Sequence, residues 1–353
     1  MDVARAAQVS RQTVSNVVNR PYRVAPQTLE RVTAEILRLG FRPNLAARSL
    51  RQERANALGV ELHAGSGRRM GDIRDVFLVE LTIASRQHDS HLVPFAAADF
   101  EHPLPAYEDL VASKLVDAFV LTDTRHDDPR PAWLRDHGVP FASFGRVWDE
   151  PEFSWWVDVD GATGVADGVR HLLENGYSRI GFLGWPAGSP IGDDRRSGWV
   201  EATTDAGVFV PAWRADALGE LGAAAAAAAP LIEAIGRGGA LVCASDVMAL
   251  GAWTVLRERG LTPGADFGLV GFDDSDLAES FGLTSLRQPL TDVAENLLSV
   301  LEHARLGGNL PTRGTVFRPT VVARNSTNPL GAPAAPATGG TSAGNRTSSG
   351  GST

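Results

Sequence analysis

The sequence has little of three things: cysteine, lysine and long apolar runs. Its 353 residues include one cysteine, Cys243, and one lysine, Lys114. A single cysteine excludes an internal disulfide, and a chain without disulfides is typical of the cytoplasm. A membrane-spanning helix requires about 18 consecutive apolar residues, and the sequence contains no such run. No basic segment followed by an apolar stretch opens the chain, so we expect a cytoplasmic protein without membrane contact.

Signatures of enzymes are also missing. The sequence contains no P-loop, no G-x-G-x-x-G after a strand, no H-E-x-x-H and no Ser/His/Asp arrangement at a recognisable spacing. Its eight histidines are scattered, which indicates no metal site. We therefore predict a protein that is not an enzyme and needs no metal or cofactor. One alternative stays open, in which Asp158 and Asp160 hold a divalent metal for sugar or phosphoryl transfer.

Charge is distributed unevenly along the chain. The first 54 residues contain ten arginines and four acidic residues, a net of +6, whereas the whole chain carries −9. The remaining residues therefore carry −15. A basic segment on an acidic body is the electrostatic pattern of a nucleic-acid-binding module joined to a domain with another task.

Residues 1–40 have the pattern of a helix-turn-helix. We predict helices over Val3–Ala7, Arg11–Asn19 and Pro26–Leu39, with Ser10 as the N-cap of the second. On that second helix, valines 14, 17 and 18 share one face and polar side chains cover the other. A helix-turn-helix that binds in the major groove of DNA requires two short helices, a tight turn between them and a polar outer face on the second helix.

The segments DVARAAQVSRQTVSNVVN, VAPQTLERVTAEILRLGFRPN and AARSL are close to the DNA-binding signature of the lactose/galactose repressor (LacI/GalR) family. The chain resembles a bacterial transcription regulator of that family. The resemblance implies that Arg11, Gln12 and Asn16 read base edges, whereas Thr13, Ser15 and Asn19 hold phosphates. The alternative for each is a solvated polar face. Gln8 departs from the family, which often has Gly or Asn there to accommodate a left-handed turn.

Residues 41–56 form a segment too short to be a stable helix alone in water. In the family this segment folds on the operator, pairs with its copy in a dimer and opens the minor groove with a leucine. The resemblance assigns that wedge to Leu50, with Ala47 allowing close approach and Arg48 and Arg51 supplying backbone charge. The alternative is that Leu50 packs on the body.

From residue 57 to 328 strand and helix patterns alternate, which predicts parallel sheets with helices on both faces. The length indicates two lobes, and the family's body resembles the type I periplasmic sugar-binding proteins. We expect three crossings between lobes, near Trp156–Asp158, Leu286–Pro289 and Phe317–Thr320. Residues 329–353 are rich in Gly, Ser, Thr, Ala and Pro, which predicts a disordered tail.

Ligands of such sheets bind beyond the carboxyl ends of the strands. Polar and aromatic side chains gather there, and carboxylates, guanidinium groups and rings suit a sugar. We predict that the effector is bound by Arg68, Asp72, Phe144, Arg146, Trp156, Asp158, Arg195, Ser245, Asp246, Asp273 and Gln288. A wider set of the same kind includes Trp148, Trp185 and Asp194. The alternative is that the aspartates at helix starts are caps and that tryptophans such as Trp156 fill the core.

The sequence therefore predicts a homodimeric regulator, a repressor of carbohydrate genes, that binds a near-palindromic double-stranded operator. A sugar or oligosaccharide between the lobes would control it by binding one of its states more tightly. A sugar-binding protein without a DNA function would share the body's fold and is the second alternative.

Overall fold

A computed structural model describes residues 2–19, 21–40, 56–62, 73–99, 102–309 and 311–328. Six predicted site residues lie outside these ranges: Ala47, Arg48, Leu50, Arg51, Arg68 and Asp72. The predicted tail, residues 329–353, lies outside them as well.

Three helices form the head, residues 2–40: α1 (Asp2–Ala6), α2 (Arg11–Asn19) and α3 (Pro26–Arg38). They enclose a small core made of Val3, Ala7, Val14, Val17 and Val32. The apolar face predicted for α2 is therefore the face that packs inward, although Val18 is only half-buried.

α2 begins at the residue that the sequence predicted, and its first turn is capped by a neighbouring side chain. The Ser10 hydroxyl accepts the Thr13 N–H at 3.0 Å, which satisfies one of the free donors of the first turn. The turn before it needs a left-handed residue, and Gln8 takes that role with a φ of 51°. A residue with a Cβ is held there at a cost, which Gly would avoid.

The body consists of two lobes, each built on a six-stranded sheet. The first lobe has the strand order β11-β5-β4-β3-β1-β2, and all of its neighbouring strands are parallel. Its strands are β1 (Ala57–Glu61), β2 (His91–Phe95), β3 (Ala118–Leu121), β4 (Phe141–Phe144), β5 (Trp156–Val159) and β11 (Thr315–Phe317). Its helices are α4 (Ile73–Gln87), α5 (Leu104–Ala112), α6 (Pro129–Asp136) and α12 (Leu290–Arg305).

The second lobe has the order β12-β10-β9-β8-β6-β7, parallel except for the β10–β12 pair. Its strands are β6 (Ile180–Gly184), β7 (Arg214–Asp216), β8 (Ala240–Cys243), β9 (Gly268–Asp273), β10 (Thr284–Arg287) and β12 (Thr320–Val322). Its helices are α7 (Gly161–Glu174), α8 (Pro190–Asp205), α9 (Leu221–Ile235), α10 (Asp246–Glu258) and α11 (Asp276–Phe281).

The chain passes between the lobes three times: after β5, between β10 and α12, and between β11 and β12. These crossings lie at the three places that the sequence predicted. Because β1, β3, β4 and β5 run parallel, their carboxyl ends meet at one edge of the first lobe, and β6, β8, β9 and β10 present the matching edge of the second. The residues that follow these strand ends therefore face the region between the lobes.

Candidate functional site

The outer face of α2 is polar and open to solvent. Arg11 and Gln12 are exposed at its first turn, and the Gln12 amide donates to Asn16 Oδ1 at 3.3 Å one turn later. Arginine, glutamine and asparagine are side chains that make paired hydrogen bonds with base edges in the major groove. With Val14 and Val17 holding the opposite face in the core, this surface is presented rigidly.

Of the three residues expected to contact phosphates, Thr13 and Ser15 have restricted side chains. The Thr13 hydroxyl lies 2.9 Å from the Ser10 hydroxyl, so Thr13 shares in the cap at the start of α2. Ser15 is half-buried, and Asn19 is the last residue of α2. A capping hydroxyl keeps a lone pair that is free to receive a further donor but has little freedom to move.

Arg195 is the central cation of the edge between the lobes. It lies on α8, is almost fully buried, and donates from Nη1 to the Ala244 carbonyl oxygen at 2.5 Å. Its guanidinium carbon lies 3.6 Å from the ring centre of Phe272, a cation–π contact. Its Nε is buried and has no hydrogen-bond partner among the described residues. Burial lowers the pKa of Arg195, and the charge of Asp273 opposes that effect.

Asp273 and Gln288 extend this centre from the ends of two neighbouring strands. The Gln288 amide donates to Asp273 Oδ1 at 2.7 Å, and that oxygen lies 4.0 Å from Arg195 Nη1. Asp273 has a φ of 114°, in a region that residues with a Cβ rarely adopt. Strain of this kind persists where surrounding contacts hold the residue, and it is concentrated at functional sites.

A second charged group joins the lobes directly. Arg146 follows β4, and its Nε lies 2.9 Å from Asp158 Oδ2 on β5. Its Nη1 reaches Asp194 Oδ1 on α8 of the second lobe at 3.2 Å. The other oxygen of Asp194 accepts the Ala162 N–H at the start of α7. Burial raises the pKa of Asp158 to about 6, against the opposing charge of Arg146.

These two groups belong to one electrostatic environment. The charges of Asp273, Asp158 and Asp194 all act on Arg195. A Cβ at Gly161, the first residue of α7, would meet both the Asp194 carboxylate and the Arg195 side chain. The structure thus brings together five of the predicted effector residues: Arg146, Asp158, Arg195, Asp273 and Gln288.

Ser245 and Asp246 lie at the same edge but are occupied by the fold. The Ser245 hydroxyl accepts the Met248 N–H at 3.3 Å and caps α10. The buried Asp246 carboxylate accepts the N–H and hydroxyl of Ser275, both at 2.8 Å, and the Ser285 hydroxyl at 2.6 Å. Burial raises the pKa of Asp246 to about 6, although these hydrogen bonds oppose the shift. Asp246 therefore ties α10 to the loop after β9 and to β10.

Phe144 and Trp156 are aromatic residues of the first lobe. The ring of Phe144 lies 4.4 Å from that of Phe77, centre to centre. The Trp156 indole N–H donates to the Phe153 carbonyl oxygen at 2.8 Å, and the ring packs against an aromatic cluster and against Gly314. Packing of this kind matches the alternative in which Trp156 fills the core.

The sequence reasoning did not identify one ion pair at this edge, between Arg74 Nη1 and Asp123 Oδ2 at 3.0 Å. Asp123 lies two residues after the end of β3, as Arg146 lies two residues after the end of β4, so the rule that selected Arg146 could have selected it. Arg74 lies in the first turn of α4, where nothing in the local pattern marks it. Trp148, whose ring centre lies 5.3 Å from the guanidinium carbon of Arg146, has a buried indole N–H without a hydrogen-bond partner among the described residues.

Two further features are absent from the described ranges. No group of three or more His, Cys, Asp or Glu side chains there is arranged to hold a metal ion. No helix there is both long and apolar enough to cross a membrane.

Comparison with known proteins matches both parts of the chain. Residues 1–44 match the family of bacterial regulatory proteins, lacI family, and residues 169–327 match a periplasmic binding protein-like domain. The HTH-type transcriptional regulator CelR of Thermobifida fusca is 31% identical over 298 residues, which cover 81% of this chain and 86% of CelR.

Solved structures agree with this assignment. A complex of the transcriptional regulator CelR with cellobiose superposes with a TM-score of 0.70 at 26% identity, over 92% of this chain and 98% of that one. A lac repressor dimer bound to operator has the same fold, with a TM-score of 0.77 at 23% identity over 93% of this chain and 98% of that one. The relatives are transcription regulators with a helix-turn-helix, as the sequence predicted for this chain. The chain belongs to the LacI family of bacterial transcription regulators.

Proposed function

We propose that the protein is a repressor of carbohydrate-utilisation genes that binds a near-palindromic operator as a homodimer and responds to a sugar bound between its lobes. The observation that carries the DNA part is the exposed polar face of α2 on a valine core. In this proposal Arg11, Gln12 and Asn16 read bases, whereas Thr13, Ser15 and Asn19 contact phosphates. Leu50, with Ala47, Arg48 and Arg51, is assigned to the minor groove on the family resemblance.

The effector proposal rests on donors and acceptors that converge between the lobes. Arg195 offers a buried Nε without a partner among the described residues, beside the acceptors of Asp273 and the amide of Gln288. A guanidinium next to a carboxylate suits the neighbouring hydroxyls of a sugar ring. Arg146 and Asp158 form the opposite wall. Arg68 and Asp72 stay in the proposed set on the sequence pattern.

Four residues take supporting roles in this proposal. Ser245 and Asp246 shape the start of α10 because their polar atoms already serve the fold. Phe144 and Trp156 contribute apolar surface to the wall of the site and no hydrogen bond to the sugar. Because the transcriptional regulator CelR has a solved structure in complex with cellobiose, that disaccharide is the first sugar to test.

The dimer proposal rests on an apolar stripe along α4. Val76, Val79 and Ile83 share one face of that helix, and each is about half exposed. A groove of about 520 Å³ on the second lobe, lined by Trp253, Phe281 and others, adds apolar surface. Exposed apolar stripes on a helix are typical of protein–protein contacts, and a second copy of this chain is the partner we propose.

The test is binding of the full chain to its own upstream DNA at fixed, moderate salt, with a panel of gluco-oligosaccharides led by cellobiose. Tight binding to one sequence that one sugar weakens supports the whole proposal. Specific binding that no sugar changes would remove the effector part. Sugar binding without specific DNA binding would favour the plain sugar-binding protein, and metal-dependent turnover of a sugar would favour the enzyme.

A further inference from the structure

Asn56 is the last residue of the segment 41–56 that joins head and body, here called the linker, and it is the one residue of that segment that the structure describes. It is held from several sides. The Asn56 N–H donates to Asp117 Oδ2 at 3.0 Å, and its carbonyl accepts the His91 N–H at 2.9 Å. Asn56 has a φ of 49°, so the backbone turns sharply in a left-handed conformation. These contacts therefore fix the backbone of Asn56, where the linker meets the body.

Arg305 closes the group from the C-terminal end of α12. Its Nη2 donates to Asp117 Oδ2 at 2.9 Å and to Asn56 Oδ1 at 3.4 Å, and its Nη1 donates to Glu302 and Ser90. The Arg305 side chain is only 6% exposed. A buried arginine with so many acceptors is fixed in place. We name Asn56, Asp117 and Arg305 the linker clamp.

One carboxylate oxygen of the linker clamp has no hydrogen-bond donor among the described residues. Asp117 Oδ1 is buried and accepts no hydrogen bond from the described residues. A buried carboxylate oxygen without a donor is costly, and exceptions of this kind call for an explanation. The other oxygen of the same carboxylate, Oδ2, accepts the Asn56 N–H, so the oxygen without a donor belongs to the group that anchors the end of the linker.

The helix that carries Arg305 also reaches the effector site. α12 runs from Leu290 to Arg305, about 24 Å at 1.5 Å per residue. It begins two residues after Gln288, whose amide donates a hydrogen bond to Asp273. Between the two ends its buried leucines pack in the first lobe, and Thr291 donates to Glu80 of α4. One well-packed helix therefore has the effector centre at one end and the linker clamp at the other.

We propose that Asp117 and Arg305 are positioning residues that fix the path of the linker and, through α12, make operator binding depend on what Gln288 contacts. This proposal rests on the proposed function, because it concerns how the effector site of a DNA-binding regulator acts on its head. It assigns a role to residues far from both ligands. A displacement of α12 that accompanies binding at Gln288 changes the clamp and so the linker.

The test compares the full-length protein with the variants Asp117→Asn, Arg305→Gln and Arg305→Lys. Arg214→Gln is the matched control, since it removes an arginine from a two-hydrogen-bond pair with Asp216 on β7, the outer edge strand of the second lobe's sheet. Each protein is titrated with its operator and with unrelated DNA of equal length, and each operator titration is repeated with saturating cellobiose or the active sugar of the panel. Sugar affinity is measured without DNA.

We expect Arg305→Gln and Asp117→Asn to lower the affinity for operator about tenfold while affinity for unrelated DNA stays the same, because unrelated DNA is held mainly by charge. The ratio of operator affinities without and with sugar should fall by about fivefold or more, with sugar affinity within about twofold of the wild type. Arg305→Lys keeps the cation beside Asp117 and should restore most of the operator affinity. A merely structural defect would not spare sugar affinity or be rescued in this way.

The proposal for the linker clamp would be refuted if both variants matched the control in operator affinity and in the ratio of operator affinities without and with sugar. A wild-type chain that binds no specific DNA would instead overturn the proposed function. If no sugar acts on the wild type, the effector part of the proposal fails. The comparison of operator with unrelated DNA then still decides whether the clamp positions the linker.

Discussion

The Asp158 carboxyl makes stability depend on pH in a direction opposite to the usual acid unfolding of proteins, and replacing Asp158 with Asn should remove that dependence. Asp158 is largely buried beside Arg146, and burial raises its pKa from the ordinary 3.8 to about 6. The folded chain therefore holds this proton more tightly than the unfolded chain does. As the pH rises from about 4 to about 6, the folded state loses a proton that it binds well, so this carboxyl lowers the free energy of unfolding.

The magnitude follows from the difference between the two pKa values. Each pKa unit corresponds to about 1.4 kcal/mol, so ionisation of Asp158 lowers the free energy of unfolding of the wild type by about 3 kcal/mol in total. About 2 kcal/mol of this loss occurs between pH 4.5 and pH 7. The side chain is 14% exposed, so solvent screening reduces this only modestly. Asp158→Asn has no such proton, and its stability relative to the wild type should rise by about 2 kcal/mol between these two pH values.

The assay is urea unfolding of the wild type and variant at five pH values from 4.5 to 7, analysed as the difference between the two proteins. Taking the difference cancels the contribution of Asp246, whose pKa burial also raises to about 6. Asp276→Asn, which removes an exposed carboxylate of α11, shows the effect of losing one negative charge at the surface. A difference that stays flat with pH, or moves in the opposite direction, would refute the reasoning about Asp158.

Three further predictions concern the head, the packing and the dimer. Gln8→Gly should stabilise the head by about 1 kcal/mol, because it removes a Cβ from a left-handed position, and thermal unfolding with Gln8→Ala as the comparison checks this. Gly198→Ala should destabilise the body by about 1–3 kcal/mol in denaturant unfolding, since its Cβ would overlap a carbonyl oxygen in the first turn of α7, whereas Gly222→Ala has open space and should not. Val79→Glu should convert the dimer to a monomer in sedimentation equilibrium while the fold is kept, because the side chain is 57% exposed on the apolar stripe of α4. A dimer that survives Val79→Glu would place the interface elsewhere.

Features set by neighbouring residues could be predicted from the sequence. The start of α2 depends on the Ser10 hydroxyl and an amide three residues later, and both are visible in the local pattern. The left-handed turn at Gln8 follows from the tight connection between two helices. The alternation of strands and helices and the three crossings were equally visible, since most strands are apolar runs bounded by polar residues; β7, with the sequence Arg-Ala-Asp, has no such pattern and was not predicted. These features need no knowledge of which distant residues meet.

The inner arrangement of the site depends on distant partners, and sequence reasoning was weaker there. Asp246 fitted the pattern of an effector residue, yet it is held by Ser275 and Ser285, which lie 29 and 39 residues further along. No local signal distinguishes a carboxylate held by distant hydroxyls from one that awaits a ligand. Arg74 was missed for the same reason, because its partner Asp123 is 49 residues away.

The balance of charge between the lobes narrows the kind of effector that fits. Arg146 is matched by Asp158 and Asp194, and Arg195 has Asp273 beside it. Among these described residues the carboxylates outnumber the guanidinium groups by three to two, so no uncompensated cation remains to receive an anionic group. A phosphorylated sugar would bring a charge close to carboxylates in a partly buried site, where like charges repel more strongly than in water. A neutral sugar instead adds hydroxyls, each able to donate to a carboxylate and accept from a guanidinium. The same pairing that neutralises the cleft therefore favours an uncharged saccharide.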